Sequence, residues 1–272
     1  MKKRRGRQGD TCSPPIPSAG LTALEKLQQR AMVDGREEPA FFRALLDATV
    51  YAHIPLSDDS GRLRVIQFVR PDNGATVLPF FTDITKAEAV GRTDAEIVAS
   101  TGREFFELTY GATLMLNPND AHCVLYPEEI NALLATGTLP RCENEIVQTE
   151  RTLGFRAPIS APGWFQPCLV QIISTLPYIQ QAYLVETLVP ENPSHVALLI
   201  SLGVEPSMAE RAVRAVSAAM QHRWGDLKVN VDMTTYDPTG KPPDWVTTLA
   251  IGPIYDRVSP ANTTRAVAVG AK

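Results

Sequence analysis

The sequence predicts an α+β protein of two domains, each a mainly antiparallel sheet with helices packed on it. Short runs rich in β-branched and aromatic residues alternate with Gly, Asp and Asn clusters, the pattern of strands joined by tight turns. Between them lie amphipathic stretches that carry their own start and stop signals, as helices do. Near the middle, residues 139–164 hold Pro140, Pro158, Pro162 and Gly163 with little periodicity, which reads as a linker. The expected boundaries are a basic disordered tail at 1–19, a first domain at 20–138, the linker, a second domain at 165–258 and a tail at 259–272.

In the first domain, Thr22-Ala-Leu-Glu25 fits a capping box, and Leu24, Leu27 and Ala31 make one apolar face up to a stop at Gly35. A second helix is expected from Pro39 to Asp47, with Phe41, Phe42, Leu45 and Leu46 inward. Residues 49–54 and 63–69 then read as strands, with the turn cluster 57–61 between them. Residues 77–81 form a third. Pro79 cannot donate to a ladder, so this third strand is expected at an edge or a bulge, as part of an antiparallel meander. Weaker signals suggest a helix at 83–90. Thr101-Gly-Arg-Glu104 is a second capping box, ahead of Phe105, Phe106 and a stop at Gly111. Residues 112–116 read as a strand and 117–120 as a turn. Pro127 opens another helix, with Glu128 and Glu129 suited to its positive end.

The second domain is expected to hold a helix at 167–176 and strands at 179–189 and 195–202. Ser207 and Glu210 look like a cap for an amphipathic helix bearing Ala212, Val213, Val216 and Met220. Residues 227–233 alternate strictly, as a strand with one wet face does. Residues 245–251 read as a last strand.

Composition bounds function. The 272 residues carry a net charge of -4 and a pI near 5.6, which argues against a dedicated nucleic-acid binder. No apolar stretch reaches the roughly 20 residues of a membrane helix. The basic start, residues 1–7, lacks a following apolar region, so no secretory signal is expected. Cys12, Cys123, Cys142 and Cys168 are widely spread, which suits free thiols in the cytoplasm.

Chemistry-bearing motifs are sparse. His122 and Cys123 are neighbours, but adjacent residues on an extended segment point opposite ways and cannot form a nucleophile–base pair. The cysteines lack close metal-ligand spacing, so no metal site is expected. Residues 236–241 lack the phosphate-loop spacing and read as a hairpin turn. Asp256 and Arg257 suggest an ion pair closing the last strand. Trp164 and Trp245 are expected in core or interface packing. No catalytic residue and no cofactor site is expected. The candidate binding surface is Asp120, His122, Trp164, Tyr255, Asp256 and Arg257.

One group of motifs resembles a known family. Leu108-x-x-Gly-Ala-Thr-Leu-Met-Leu-Asn-Pro118, Tyr126-Pro-Glu-Glu-Ile-Asn-Ala-Leu-Leu134, residues 77–82 and residues 41–46 are similar to the N-terminal domain of the SseB (enhanced serine sensitivity) family. Residues 180–184, 195–199 and 253–257 resemble its C-terminal domain, with Ile254 where the family usually has an aromatic. The resemblance implies a bacterial cytoplasmic protein linked to serine sensitivity and brings no established reaction or catalytic residues. It suggests a non-enzymatic protein that binds another protein in a regulatory or accessory role. An acidic chain suits a basic partner, such as a toxin held by an immunity protein. The alternatives are a small-molecule binder or enzyme of amino-acid metabolism, with a site near Asp120, His122 and Asp256, and self-association through a free sheet edge at 77–81.

Overall fold

The computed structural model describes residues 22–56, 64–70, 74–120, 123–140, 153–189 and 192–257. The expected tails, His122, Cys12 and Cys142 lie outside these residues. The fold is α+β, with two main hydrophobic cores formed one after the other along the chain.

The first half begins with α1 (Ala23–Val33) and α2 (Glu38–Asp47). Thr22 and Glu25 form the expected capping box, each satisfying a free amide of the first turn. The stop differs from expectation. Asp34 caps α1 in an extended conformation, and Gly35 opens a short 3-10 turn. Then follow β1 (Thr49–Pro55), β2 (Phe68–Val69), β3 (Thr76–Phe80), α3 (Ile84–Glu88), β4 (Ala95–Thr101), α4 (Gly102–Leu108), β5 (Leu114–Leu116), β6 (Cys123–Leu125) and α5 (Pro127–Thr136).

The strands do not form the expected meander. β1 pairs antiparallel with β4, from Thr49 opposite Thr101 to Pro55 opposite Ala95. Sequence reading places no strand at β4, because residues 95–101 are at most half-buried and show no strict alternation. The other sheet has the order β2-β3-β5-β6, with β3 and β5 parallel. Tyr51 and Phe81 exchange two backbone hydrogen bonds of 2.9 Å, which tie β1 to the end of β3.

β3 is therefore an interior strand, not a free edge, and the expected self-association through residues 77–81 has no edge to use. Its proline is tolerated for a local reason. Leu78 and Phe80 bond toward β5, so position 79 faces the other side, where β2 has already ended at its pairing with Val77 and Thr76.

Leu45, Phe80, Phe106, Leu114, Leu125 and Leu133 fill the first core between this sheet and the helices. Alternation sends Val77, Met115, Val124 and Tyr126 to the opposite face, where they form a small second cluster with Phe68.

The second half comprises β7 (Gly154–Arg156), α6 (Phe165–Thr175), β8 (Ile179–Val189), β9 (Asn192–Val204), α7 (Ala209–Met220), β10 (Asn230–Tyr236), α8 (Asp244–Thr248) and β11 (Tyr255–Asp256). β8 and β9 are the long antiparallel centre, β10 joins β9 in parallel, and β7 and β11 both pair with β8. Thus residues 154–156, expected in the linker, are a strand of the second sheet. α6 and α7 cover one face, with Phe165, Leu169, Ile173, Ala212, Val216 and Met220 buried.

Three further expectations change. Residues 244–248 are helical rather than extended. Trp245 stacks on Phe155 at 5.5 Å and meets Tyr183 edge-on at 5.9 Å, so aromatic packing fixes the segment. Ser207 makes no helix cap. It lies in a 3-10 turn and bonds Glu205 instead. The turn after β10 is built by Asp237, whose carboxylate accepts from the Thr239 amide at 2.9 Å, but it leads to α8 and closes no hairpin.

The halves meet where α5 packs on α7. Arg211 reaches Glu128 at 2.9 Å, Arg214 reaches Glu129 at 2.7 Å, and Tyr178 donates to Glu128 at 3.0 Å. The two glutamates expected to serve only the helix start thus also hold the two halves together.

Candidate functional site

The site follows from the second face of β3. Residues 77–81 are apolar at every position, so both faces of this strand need covering. One face meets the first core. The other forms the floor of a cleft of about 500 Å³, where Pro79, Phe81 and Met115 lie beneath walls from Ile66, Phe68, Val90 and Pro118. That size and lining match sites that hold apolar groups with a few polar contacts.

Three basic residues join this lining: His53, Arg70 and Arg92. His53 projects from β1, 3% exposed, with its ring edge-on to Phe81 at 5.5 Å. Burial holds its pKa below the usual 6.5, and the nearby Arg92 charge acts the same way, against a hydrogen bond to the Ala87 carbonyl. It is a neutral wall residue at pH 7. Arg70, 8% exposed, donates to the Tyr126 hydroxyl. Arg92 holds Asp94 in a two-pronged pair at 3.0 and 2.8 Å, which engages two of its five N–H groups. Val90, which lines the cleft, is 36% exposed.

The sequence-predicted surface residues occupy different places. Asp120 pairs with Lys86 at 2.8 Å, and Lys86 also meets Glu25 at 2.7 Å. Trp164 precedes α6, with the Arg223 guanidinium 4.4 Å over its ring. Tyr255, Asp256 and Arg257 stay together at the end of the second sheet. The expected Asp256–Arg257 closure is made differently. Arg257 donates to the Leu176 and Ile179 carbonyls at 2.8 and 3.0 Å, while Asp256 lies 3.5 Å from the Gln181 amide nitrogen.

Cys123 lies in β6, and burial pushes its thiol up to about 11, so it is no ready nucleophile. Among the described residues no group of three His, Cys, Asp or Glu side chains is placed to hold a metal ion. No helix among them is long and apolar enough to cross a membrane.

Sequence reasoning missed the cleft because its lining comes from residues 53 to 119. The available signal was the strand at 77–81, which is apolar on both faces yet has only one helical layer to cover it.

The fold and these residues define an α+β protein whose residues 22–132 match the SseB protein N-terminal domain. That match includes every described residue lining the cleft. The chain is also 26% identical over 216 residues to Protein SseB of Escherichia coli (strain K12), covering 76% of this chain and 82% of that protein. Protein SseB of Shigella flexneri matches to the same extent. Residues 22–132 thus carry the SseB N-terminal domain, and the likeness to the SseB proteins extends over 76% of the chain. No solved structure matches it.

Proposed function

We propose that this chain is a non-enzymatic binding protein that receives an apolar anchor of a protein partner in the cleft on the first sheet. The cleft itself carries the reading. It offers about 500 Å³ of mainly apolar space, with the partly exposed Val90 on its wall. Concave apolar sites of this kind take the buried anchors that dominate protein interfaces. The basic residues of the lining shift the expectation of a basic partner. The overall charge of -4 suits one, whereas Arg70 and Arg92 at the cleft do not. We infer the regulatory or accessory role and the cytoplasmic setting from the family resemblance.

The test uses the tagged full chain, with Val90→Arg to block the mouth and Leu153→Arg as a distant control. A partner captured by the parent chain and by Leu153→Arg, purified, and bound at least about tenfold more weakly by Val90→Arg supports the reading. A partner bound equally well by Val90→Arg overturns it.

The cleft volume also admits a small ligand, in line with the serine-linked resemblance. Melting the protein with millimolar serine and related metabolites tests this second reading, because a ligand specific to the folded state raises the transition. A flat response across the set removes it.

A further inference from the structure

β4 ends its sheet. It pairs with β1 on one side, from Ala95 opposite Pro55 to Thr101 opposite Thr49, and no second strand pairs with it among the described residues. The bonds around it show which of its backbone groups face outward. In an antiparallel pair, opposed residues alternate between those that bond each other and those that point away. Tyr51 exchanges both of its backbone bonds with Phe81, and the His53 carbonyl accepts from the Ile66 amide at 2.8 Å, so these two residues point away from β4. Beyond the two ends of the pairing, the Asp94 carbonyl accepts from Leu56 and the Gly102 amide donates to Ala48, which keeps the even positions facing β1. The odd positions Ala95, Ile97, Ala99 and Thr101 therefore face outward. The Thr101 amide is held by Glu104 within its capping box. No hydrogen bond to the outward amides and carbonyls of Ala95, Ile97 and Ala99 is found among the described residues.

Such an edge invites another strand, and proteins usually blunt it with proline, lysine, a bulge or a short length. β4 has none of these. It runs for seven residues in unbroken register with the sequence Ala-Glu-Ile-Val-Ala-Ser-Thr, and its side chains are at most half-buried. The sequence also selects the strand that fits. Run antiparallel against a second β4 about Ile97, the edge sets Ile97 opposite its own counterpart and Ala95 opposite Ala99. Each outward amide then meets a carbonyl. Glu96 falls opposite Val98 and Asp94 opposite Ser100, so no like charges face each other. A centre at Glu96 would oppose two glutamates. A centre at Val98 would call on the Thr101 amide, which Glu104 already holds.

We propose that β4 is a self-association edge, through which two copies of this chain join antiparallel about Ile97 into one continuous sheet with β1 strands at its outer sides. Such a contact is isologous and closes at two copies. Ile97 stands opposite His53, and His53 lines the cleft, so the joined sheet carries both clefts on the same face. The inference is independent of the docking reading, because it uses the strand edge and not the cleft.

The test is sedimentation equilibrium on the full chain from about 5 μM to about 500 μM, a span that covers weak dimers. The expected result is an average mass that rises with concentration from 29.7 kDa toward twice that value. Ile97→Lys and Ile97→Glu each set like charges against each other at the axis and should weaken the dimer at least about tenfold. An equal mixture of the two variants sets opposite charges together and should restore association. Ala99→Pro, at an exposed position, removes an outward amide and leaves the ladder to β1 whole, so it should also weaken the dimer. Thermal melting establishes that each variant is folded, and Ala99→Pro decides the matter where a charge at position 97 unfolds the chain. A mass of 29.7 kDa across the whole range overturns the inference. So does a dimer left intact by the folded variants, or one lost in both charge variants and not recovered on mixing.

Discussion

Arg214 of α7 sits 2.7 Å from Glu129 of α5, and this contact joins the second half of the chain to the first across 85 residues. The same guanidinium reaches Glu210 at 2.8 Å and the Val124 carbonyl at 2.8 Å, and it lies 5.2 Å from the centre of the Tyr126 ring. One side chain thus satisfies a buried acid, a carbonyl of β6 and an aromatic face. Tyr126 also accepts from Arg70, so the junction of the halves and a wall of the cleft share one residue.

Removing that arginine leaves Glu129, with a side chain only 6% exposed, without its cation. Arg214→Ala should therefore cost about 3 kcal/mol, as for other broken buried pairs. Arg214→Lys should recover less than half of the loss, because a single ammonium cannot hold all three partners in fork geometry. Urea unfolding of the three proteins measures both effects. Parent-like stability of Arg214→Ala would show that the contact is energetically idle.

His53 predicts a pH dependence. Its folded pKa lies below the ordinary 6.5 through burial, so the unfolded chain takes up its proton first as pH falls. Stability is fully present above 6.5 and is lost as the pH drops from there toward the folded value. The midpoint of thermal unfolding should fall between about pH 7 and pH 5.5, and His53→Gln should flatten that slope. An equally steep slope in the variant would assign the effect to other groups.

Gly102 predicts a steric limit. It opens α4 beneath α2, and a Cβ built there would lie 2.0 Å from the Leu45 backbone carbonyl oxygen. Backbone cannot swing aside as a long side chain does. Gly102→Ala should cost at least about 3 kcal/mol, at the upper end of overpacking effects. Gly225, which has open space around its missing Cβ, is the matched control. Gly225→Ala should stay within about 1 kcal/mol of the parent. Calorimetric melting of the pair decides between them, and equal midpoints would refute the packing argument.

Arg257 predicts a loss at the end of the second sheet. Its two bonds to the Leu176 and Ile179 carbonyls tie the chain after β11 to the exit of α6, and its guanidinium lies 5.6 Å from the Tyr255 ring centre. Arg257→Ala should cost about 2 kcal/mol, the sum expected for two hydrogen bonds from a charged donor that is only part-buried. Faster amide exchange at Ile254 and Arg257, whose N–H groups bond to β8, would locate the loosening. Unchanged exchange there would place the role of Arg257 elsewhere.

Much of the local structure was legible in the chain. Both N-terminal capping boxes form, and Gly111 and Gly137 take the left-handed conformations expected just past their helices. The SseB motifs at 41–46, 77–82 and 108–118 fall within the matched residues 22–132, and the motif at 126–134 straddles their end. The failures share a cause. Residues 245–251 have a strand-like composition, but Phe155 and Tyr183 offer Trp245 an aromatic seat that a helix reaches. β4 lacks a strong pattern because its side chains are only partly buried, so its pairing with β1 leaves little trace in the sequence. Of the surface expected from sequence, Asp120 pairs with Lys86, Trp164 lies under Arg223, and Arg257 holds the Leu176 and Ile179 carbonyls.

The sequence by itself determined the two N-terminal capping boxes, most helix and strand segments, the acidic balance and the likeness to the SseB family. These depend on residues within a turn or two of each other, where capping, φ preference and alternation act directly. Only the tertiary structure decided that β1 takes β4 as its partner, that Glu128 and Glu129 face two arginines of α7, and that His53, Arg70 and Arg92 share one cleft. Those choices join residues tens of positions apart. The need to bury both faces of β3 and to pair every buried charge selects among them, and no local signal carries that information.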